Sequence, residues 1–138
     1  MTIHEYGDRK NPHILLIHGM WMCHEMMLPY VEKMRGEYHI IAPDLTGHGS
    51  DMGSFEGAEQ DAVQIGKWLA DHDIKSLELM FSASMGCVVA MYSAAYIDSD
   101  VMKKLSDSMS RTDRKALACM VHTCNSFKYE QSMLPGRV

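Results

Sequence analysis

Three short apolar runs, separated by stretches of helical periodicity, constrain the fold of this chain more than any other feature. The runs are His13–Ile17, Tyr38–Ala42 and Leu77–Phe81. The first two are continuous and aliphatic, which is typical of strands buried on both faces of a sheet. Because a helical stretch follows each run, the chain is predicted to have an α/β fold with a parallel sheet and right-handed crossovers.

The helical stretches are recognised by apolar side chains at intervals of three and four residues. The first covers His24–Arg35, and the second runs to about His72 with Ser54 as its expected N-cap. The third extends from the turn after the last run to about Ile97. Met1–Asp8 precedes all of them and is predicted to form a short edge strand.

All 138 residues are predicted to form a single domain. Residues 1–97 supply the core sheet and its helices. Residues 98–126 show helical periodicity without a further strand, and residues 127–138 are predicted to be an irregular tail.

Charge and composition exclude several classes of function. A formal net charge of −5 argues against nucleic acid as a partner. No apolar run approaches the roughly 18 residues of a membrane span, and the N-terminus does not resemble a signal peptide. Four cysteines without a C-x-x-C pair favour reduced thiols and a cytoplasmic location. Neither nucleotide-binding glycine motifs nor metal-ligand spacings of histidine occur, so no cofactor and no metal are expected.

The segment Ser82-Ala83-Ser84-Met85-Gly86 connects the third run to the helix after it. A serine at a sharp strand-to-helix turn is held above the sheet, beside backbone N–H groups that can stabilise an oxyanion. The segment matches the pattern G-x-S-x-G, with Ser82 in place of the first glycine. Ser84 is therefore a candidate nucleophile; the alternative is a small residue that fills a tight turn.

Two further motifs follow the other runs in the same way. His18-Gly19 comes after the first run, and Pro43-Asp44-Leu45-Thr46-Gly47-His48-Gly49 comes after the second. In order, spacing and context, the three motifs resemble those of the α/β-hydrolase superfamily, particularly its small esterases and lipases. The resemblance covers roughly residues 3–97. It implies a three-layer α/β sheet, with residues 98–126 corresponding to lid-like helices.

The resemblance implies a serine hydrolase that cleaves a small carboxylic ester or related apolar acyl substrate through an acyl-enzyme on Ser84. The backbone N–H groups of Met20 and Met85 would form the oxyanion hole. Physical reasoning agrees, because one lies just past a strand end and the other at a helix N-terminus, where N–H groups are free. Gly19 and Trp21 would line the substrate site, with a packing role as the alternative for Trp21.

The other polar residues of the motifs are expected to be structural. His18 is expected to support the oxyanion loop through hydrogen bonds rather than to act as a base. His48 is expected to shape its glycine-rich loop, and Asp44 to anchor a turn.

The resemblance ends after the third helix. In the family, an acid and then a histidine follow the nucleophile on loops after later strands. His122 is the sole histidine after Ser84, and periodicity places it within a helix, where a structural role is commoner than a role as base. No acid can be assigned. The chain thus resembles the front half of such a hydrolase; a natural short form, a gene fragment and an incomplete chain are all compatible with this pattern.

Two functions follow from these observations. The first is a serine hydrolase whose base is His122 or a group of another chain. The alternative is a catalytically incomplete α/β-hydrolase-like module that binds a ligand or partner. Without later strands, the Leu77–Phe81 run has an unpaired apolar edge, so a homodimer through this edge is also predicted.

Overall fold

The computed structural model describes residues 1–97, with the side chains of residues 1–94. Its four strands are β1 (Thr2–Tyr6), β2 (His13–Ile17), β3 (His39–Asp44) and β4 (Leu79–Ser82). They form one sheet in the order β1-β3-β2-β4. Strand β2 runs parallel to β3 and β4, whereas β1 runs antiparallel to β3. The predicted α/β fold with a parallel central sheet is confirmed.

Three α-helices connect or follow these strands: α1 (Leu28–Met34), α2 (Ala58–Asp71) and α3 (Met85–Ile97). A 3-10 turn at His24–Met27 precedes α1, so the predicted single helix from His24 is divided. The prediction of Ser54 as an N-cap is wrong. Helix α2 begins after Gly57, whose φ of 145° is open to glycine but strained for other residues.

Both faces of the sheet are covered, because alternate strand residues point to opposite sides. One core joins β2 and β3 to α2 and α3 through Leu15, Ile17, Ile41, Ile65, Leu69 and Val89. The other joins the same strands to α1 and the 3-10 turn through Ile14, Leu16, Ile40, Ala42, Met27 and Val31. The described chain is therefore a three-layer α/β/α structure.

Strand β4 lies at an edge of the described sheet. It pairs with β2 from Leu79, opposite Ile14, to Ser82, opposite Ile17. Within residues 1–97, no strand pairs with its other side. Leu79 is 46% exposed and Phe81 is 38% exposed, so this edge is apolar as well as unpaired there.

The predicted lid-like helices of residues 98–126, the tail of residues 127–138 and His122 lie outside the described residues. Among the helices of residues 1–97, none has the length and apolar character to cross a membrane.

Candidate active site

The carboxyl ends of three parallel strands meet at one edge of the sheet, and each is followed by one of the sequence motifs. His18 and Gly19 follow β2, the loop 45–53 follows β3, and Ser84 comes shortly after β4. Open α/β sheets bind their ligands outside this edge. The fold therefore brings three motifs that are distant in sequence to the usual place for a site.

Ser84 occupies the turn between β4 and α3 with a strained backbone. Its φ is 48°, in the left-handed region that residues other than glycine rarely adopt. The turn is closed by two hydrogen bonds, from the Gly86 N–H to the Ala83 carbonyl and from the Cys87 N–H to the Ser84 carbonyl, each 2.9 Å long. The Ser84 residue is exposed, as a nucleophile at a strand-to-helix elbow has to be.

Two glycines allow this turn to pack against the end of β2. A Cβ atom on Gly19 would lie 3.1 Å from the Cβ atom of Ser84. A Cβ atom on Gly86 would lie 2.9 Å from the Ile17 carbonyl oxygen and would collide with the His18 carbonyl oxygen. Larger residues at either position would separate the loop after β2 from Ser84.

The two candidate oxyanion donors flank this contact. Met20 follows Gly19 directly, and Met85 is the first residue of α3, where a backbone N–H has no partner within the helix. Neither N–H donates a hydrogen bond to another residue of the described range. The Trp21 side chain is 91% exposed and its φ is 61°, so it does not pack into either core.

His18 is fully buried at the end of β2, and both of its ring nitrogens are engaged. Its Nε2 accepts the Leu45 N–H at 3.0 Å, so Nδ1 carries the hydrogen and donates to the Gly19 carbonyl at 2.7 Å. Burial lowers the pKa of His18 and favours this neutral form. These bonds tie together the loops after β2 and β3, which agrees with the structural role expected for His18.

Asp44 is fully buried at the end of β3, where its carboxylate connects three segments. It accepts the backbone N–H groups of His24 at 2.7 Å and Ser50 at 2.8 Å, and also the Ser50 hydroxyl. Burial alone would raise the pKa of Asp44, but these donors outweigh it and hold the pKa far below its usual range. Asp44 therefore anchors a turn as an ionised carboxylate.

Two histidine rings also contact Asp44, and no sequence spacing indicates this cluster. His4 Nε2 lies 3.1 Å and His24 Nδ1 lies 2.9 Å from the Asp44 carboxylate. The rings stack with centroids 3.4 Å apart and planes 14° apart. A metal ion lies near the plane of each imidazole that binds it, so one ion cannot suit two stacked rings. The geometry fits two donors to Asp44 better than it fits a metal site.

The described residues bring no histidine into hydrogen-bond contact with Ser84. His48 remains with its own loop, because its Nδ1 donates to the Thr46 carbonyl at 3.0 Å. Its ring centroid lies 5.4 Å from that of His18. Within residues 1–97, no histidine is therefore in place to accept a proton from Ser84, and His122 lies outside the described residues.

Comparisons with known proteins point to the same architecture. A model of the alpha/beta hydrolase family matches residues 14–123. Over 45 residues the chain is 44% identical to an uncharacterized hydrolase of Saccharomyces cerevisiae. These residues make up 33% of this chain and 16% of that protein. Over 63 residues it is 33% identical to the (E)-2-((N-methylformamido)methylene)succinate hydrolase of Acinetobacter baylyi. These residues make up 45% of this chain and 24% of that protein.

A solved structure of an alpha/beta hydrolase family protein from Desulfitobacterium hafniense superposes with a TM-score of 0.64. The two chains are 23% identical, and the superposition covers 67% of this chain and 38% of the other. The chain thus matches well under half the length of each of these proteins. Because the family model matches most of the chain and the sheet has the same fold, the chain belongs to the α/β hydrolase family.

Proposed function

We propose that this protein is a serine hydrolase that acts on a small carboxylic ester or a related apolar acyl substrate. The observation that carries the proposal is the exposed Ser84, held at φ 48° against the loop after β2. A left-handed backbone at a residue with a Cβ atom costs on the order of 1–3 kcal/mol, and such strain concentrates at functional sites. A serine that only filled a turn would not need this conformation, since glycine adopts it without strain.

In the proposed reaction, the Ser84 hydroxyl oxygen attacks the acyl carbonyl carbon while a general base accepts its proton. The alcohol leaves with a proton, and the acyl group stays on Ser84 as an ester. Water then attacks this ester by the same route, which releases the acid and restores the serine. The N–H groups of Met20 and Met85 stabilise the negative oxygen in both steps, and one such donor contributes a factor of about 10²–10³ in rate.

The identity of the base decides between this proposal and its alternative. A serine hydroxyl is barely ionised near neutral pH, so Ser84 needs a base to be an effective nucleophile. We propose His122 or a group of a second chain for this role. The alternative is a catalytically incomplete module that binds a ligand or partner, and the exposed apolar side chains of Leu79 and Phe81 favour it.

We also propose that a second copy pairs along β4 to form a homodimer. Support comes from the side of β4 that has no partner strand in residues 1–97 and from its exposed apolar side chains. The cysteine pattern supports a cytoplasmic setting as part of the same proposal.

Labelling with a fluorophosphonate probe tests the role of Ser84. We expect the wild-type chain to be labelled and Ser84→Ala to lose both labelling and turnover of short-chain esters by a factor of about 10³ or more. Ser82→Ala is the matched control, because it removes a serine two positions earlier and should keep labelling. Well-folded wild-type protein that neither reacts nor turns over esters would contradict the proposal. Ligand-dependent stabilisation that persists in Ser84→Ala would then support the binding module.

A further inference from the structure

The loop after β2, which carries the proposed oxyanion donor Met20, is fixed at both of its ends. At its start, His18 Nδ1 donates to the Gly19 carbonyl at 2.7 Å. At its other end, the His24 N–H donates to the buried Asp44 carboxylate at 2.7 Å. The Met20 N–H makes no backbone hydrogen bond within residues 1–97. Its position therefore depends on the two ends of the loop rather than on a bond of its own.

The backbone between these two ends is strained at Trp21. The Met22 N–H donates to the Gly19 carbonyl at 3.3 Å, which closes a four-residue turn with Trp21 in its third position. The φ of Trp21 is 61°, a value that favours glycine at this position of a turn. Strain of this kind persists only where the surrounding structure imposes it. The Trp21 side chain packs into neither core, so the restraint comes from the fixed ends of the loop.

The Asp44 carboxylate, which anchors the second end, is itself held by donors from several segments. One oxygen accepts the backbone N–H and the ring Nδ1–H of His24, at 2.7 and 2.9 Å. The other oxygen accepts the N–H and the hydroxyl of Ser50 and the Nε2–H of His4. A Cβ atom on Gly49 would collide with the carboxylate, so the loop after β3 closes over it. These donors together set the orientation of the anchor.

His4 restrains this anchor from a separate element, strand β1. It lies opposite Ala42 in the antiparallel pairing of β1 with β3, so Asp44 is its diagonal neighbour on the same face. Its ring donates to the carboxylate at 3.1 Å and stacks on the His24 ring with centroids 3.4 Å apart. The His4 side chain is part of neither hydrophobic core. Its contacts thus fall on the two residues that anchor the loop.

We propose that His4 is a positioning residue for the Met20 N–H and acts through Asp44 and His24. The hydrogen bond of His4 to the carboxylate is its chief means, and stacking on the His24 ring adds to it. Both contacts keep the second end of the loop in place and so maintain the strained turn that presents the Met20 N–H. Donors of an oxyanion hole are effective because they are fixed before the reaction. This inference rests on the hydrolase proposed above.

Steady-state kinetics of the full-length chain with a short-chain ester test the consequence for turnover. His4→Ala removes the donor and the stacked ring, and we expect kcat to fall by about tenfold or more, since small displacements of catalytic groups cost up to about 10²-fold. KM should change by less than about twofold, because the oxyanion exists only after the substrate has bound. His4→Gln keeps a side-chain N–H donor and should recover much of the lost rate. His13→Ala is the matched control, because His13 is a half-buried strand histidine at the other end of the sheet.

Amide hydrogen exchange tests the anchoring of the loop without relying on turnover. The His24 N–H donates to Asp44, and the Met22 N–H donates to the Gly19 carbonyl, so both report on the loop. We expect His4→Ala to accelerate the exchange of both amides by about tenfold or more, because exchange follows local opening. His13→Ala should leave their exchange unchanged.

The two measurements separate this inference from the proposed function. A wild-type chain without esterase activity, combined with accelerated exchange in His4→Ala, would contradict the hydrolase and still support positioning by His4. Unchanged exchange in folded His4→Ala, or accelerated exchange with an unchanged kcat in an active enzyme, would overturn the positioning role. An equal loss of kcat in His13→Ala, or a loss in His4→Gln as large as that in His4→Ala, would overturn it as well.

Discussion

The interior strands β2 and β3 and the edge strand β4 have similar apolar sequences but very different surroundings. Leu15 and Ile41 are completely buried between two layers of helices, whereas Leu79 is 46% exposed and Phe81 is 38% exposed. The interior strands lead into buried polar side chains with saturated hydrogen bonds. The edge strand leads into the exposed, strained turn of Ser84.

The loops that support the candidate site therefore follow the interior strands, whereas the candidate nucleophile follows the edge strand. Burial on both faces and the bonds of His18 and Asp44 fix the loops after β2 and β3. The Ser84 turn rests on the end of β2, where Gly19 permits close contact, and leads into α3, whose Val89 is buried in the core beside β2. The geometry around Ser84 therefore depends on the interior strands more than on the strand that carries it.

Replacing one leucine in β2 and one in β4 by alanine tests whether the interior strand is packed more tightly than the edge strand. These substitutions have the largest expected effect. Leu15→Ala in β2 removes a fully buried side chain and is expected to lower the free energy of unfolding by about 2–5 kcal/mol. Leu79→Ala in β4 removes a side chain that is already half in water, so we expect a loss of about 1 kcal/mol or less. Urea denaturation of both variants measures the two losses. Equal losses would mean that β4 is as well packed as β2.

The two regions also differ in their ionisable groups, which predicts a dependence of stability on pH. Burial lowers the pKa of His18 and of His39, both on or next to interior strands, so each is neutral in the folded chain. In the unfolded chain each binds a proton near its ordinary pKa of about 6.5, so acid favours unfolding. Residues 79–94 contain no histidine or carboxylate. The dependence of stability on pH should therefore originate in β2, β3 and the residues next to them.

We expect the free energy of unfolding to be highest above about pH 6.5 and to fall on acidification by at most roughly 1.4 kcal/mol per pH unit for each of these histidines. Urea denaturation at a series of pH values measures this slope. His18→Asn should reduce the slope by removing one of the two groups. A stability that does not change, or that rises, as the pH falls from about 7.5 to 5.5 would contradict the assignment.

The sequence predicted the sheet well because its signal is local. Continuous aliphatic runs such as His13–Ile17 indicate strands buried on both faces whatever their partners. The helix boundaries predicted from the sequence were less accurate than the predicted strands. Ser54 has the chemistry of an N-cap, but the backbone of Gly57 determines where α2 begins. The Ser84 turn was also predictable, since its small residues and the strand before it are adjacent in the chain.

The polar clusters could not be predicted because strand register creates them. His13 and His39 are 26 residues apart, and Glu5 and His39 are 34 apart, yet pairing of three strands brings all of them together. The contact of His4 with Asp44 spans 40 residues and depends on the antiparallel pairing of β1 with β3. Scattered histidines in the sequence indicate no site until the order of the strands is known.

The smallest expected effect concerns association through the edge strand. If β4 pairs with a second copy, sedimentation velocity of the wild-type chain at high micromolar concentration should show a population of dimers that decreases on dilution. Leu79→Lys should shift this population to monomer, because a lysine on an edge strand opposes strand pairing. Val63→Lys is the matched control, since Val63 is 42% exposed on α2 and lies away from this edge. A wild-type chain that stays monomeric would refute the dimer, and equal dimerisation of both lysine variants would assign the contact to a different surface.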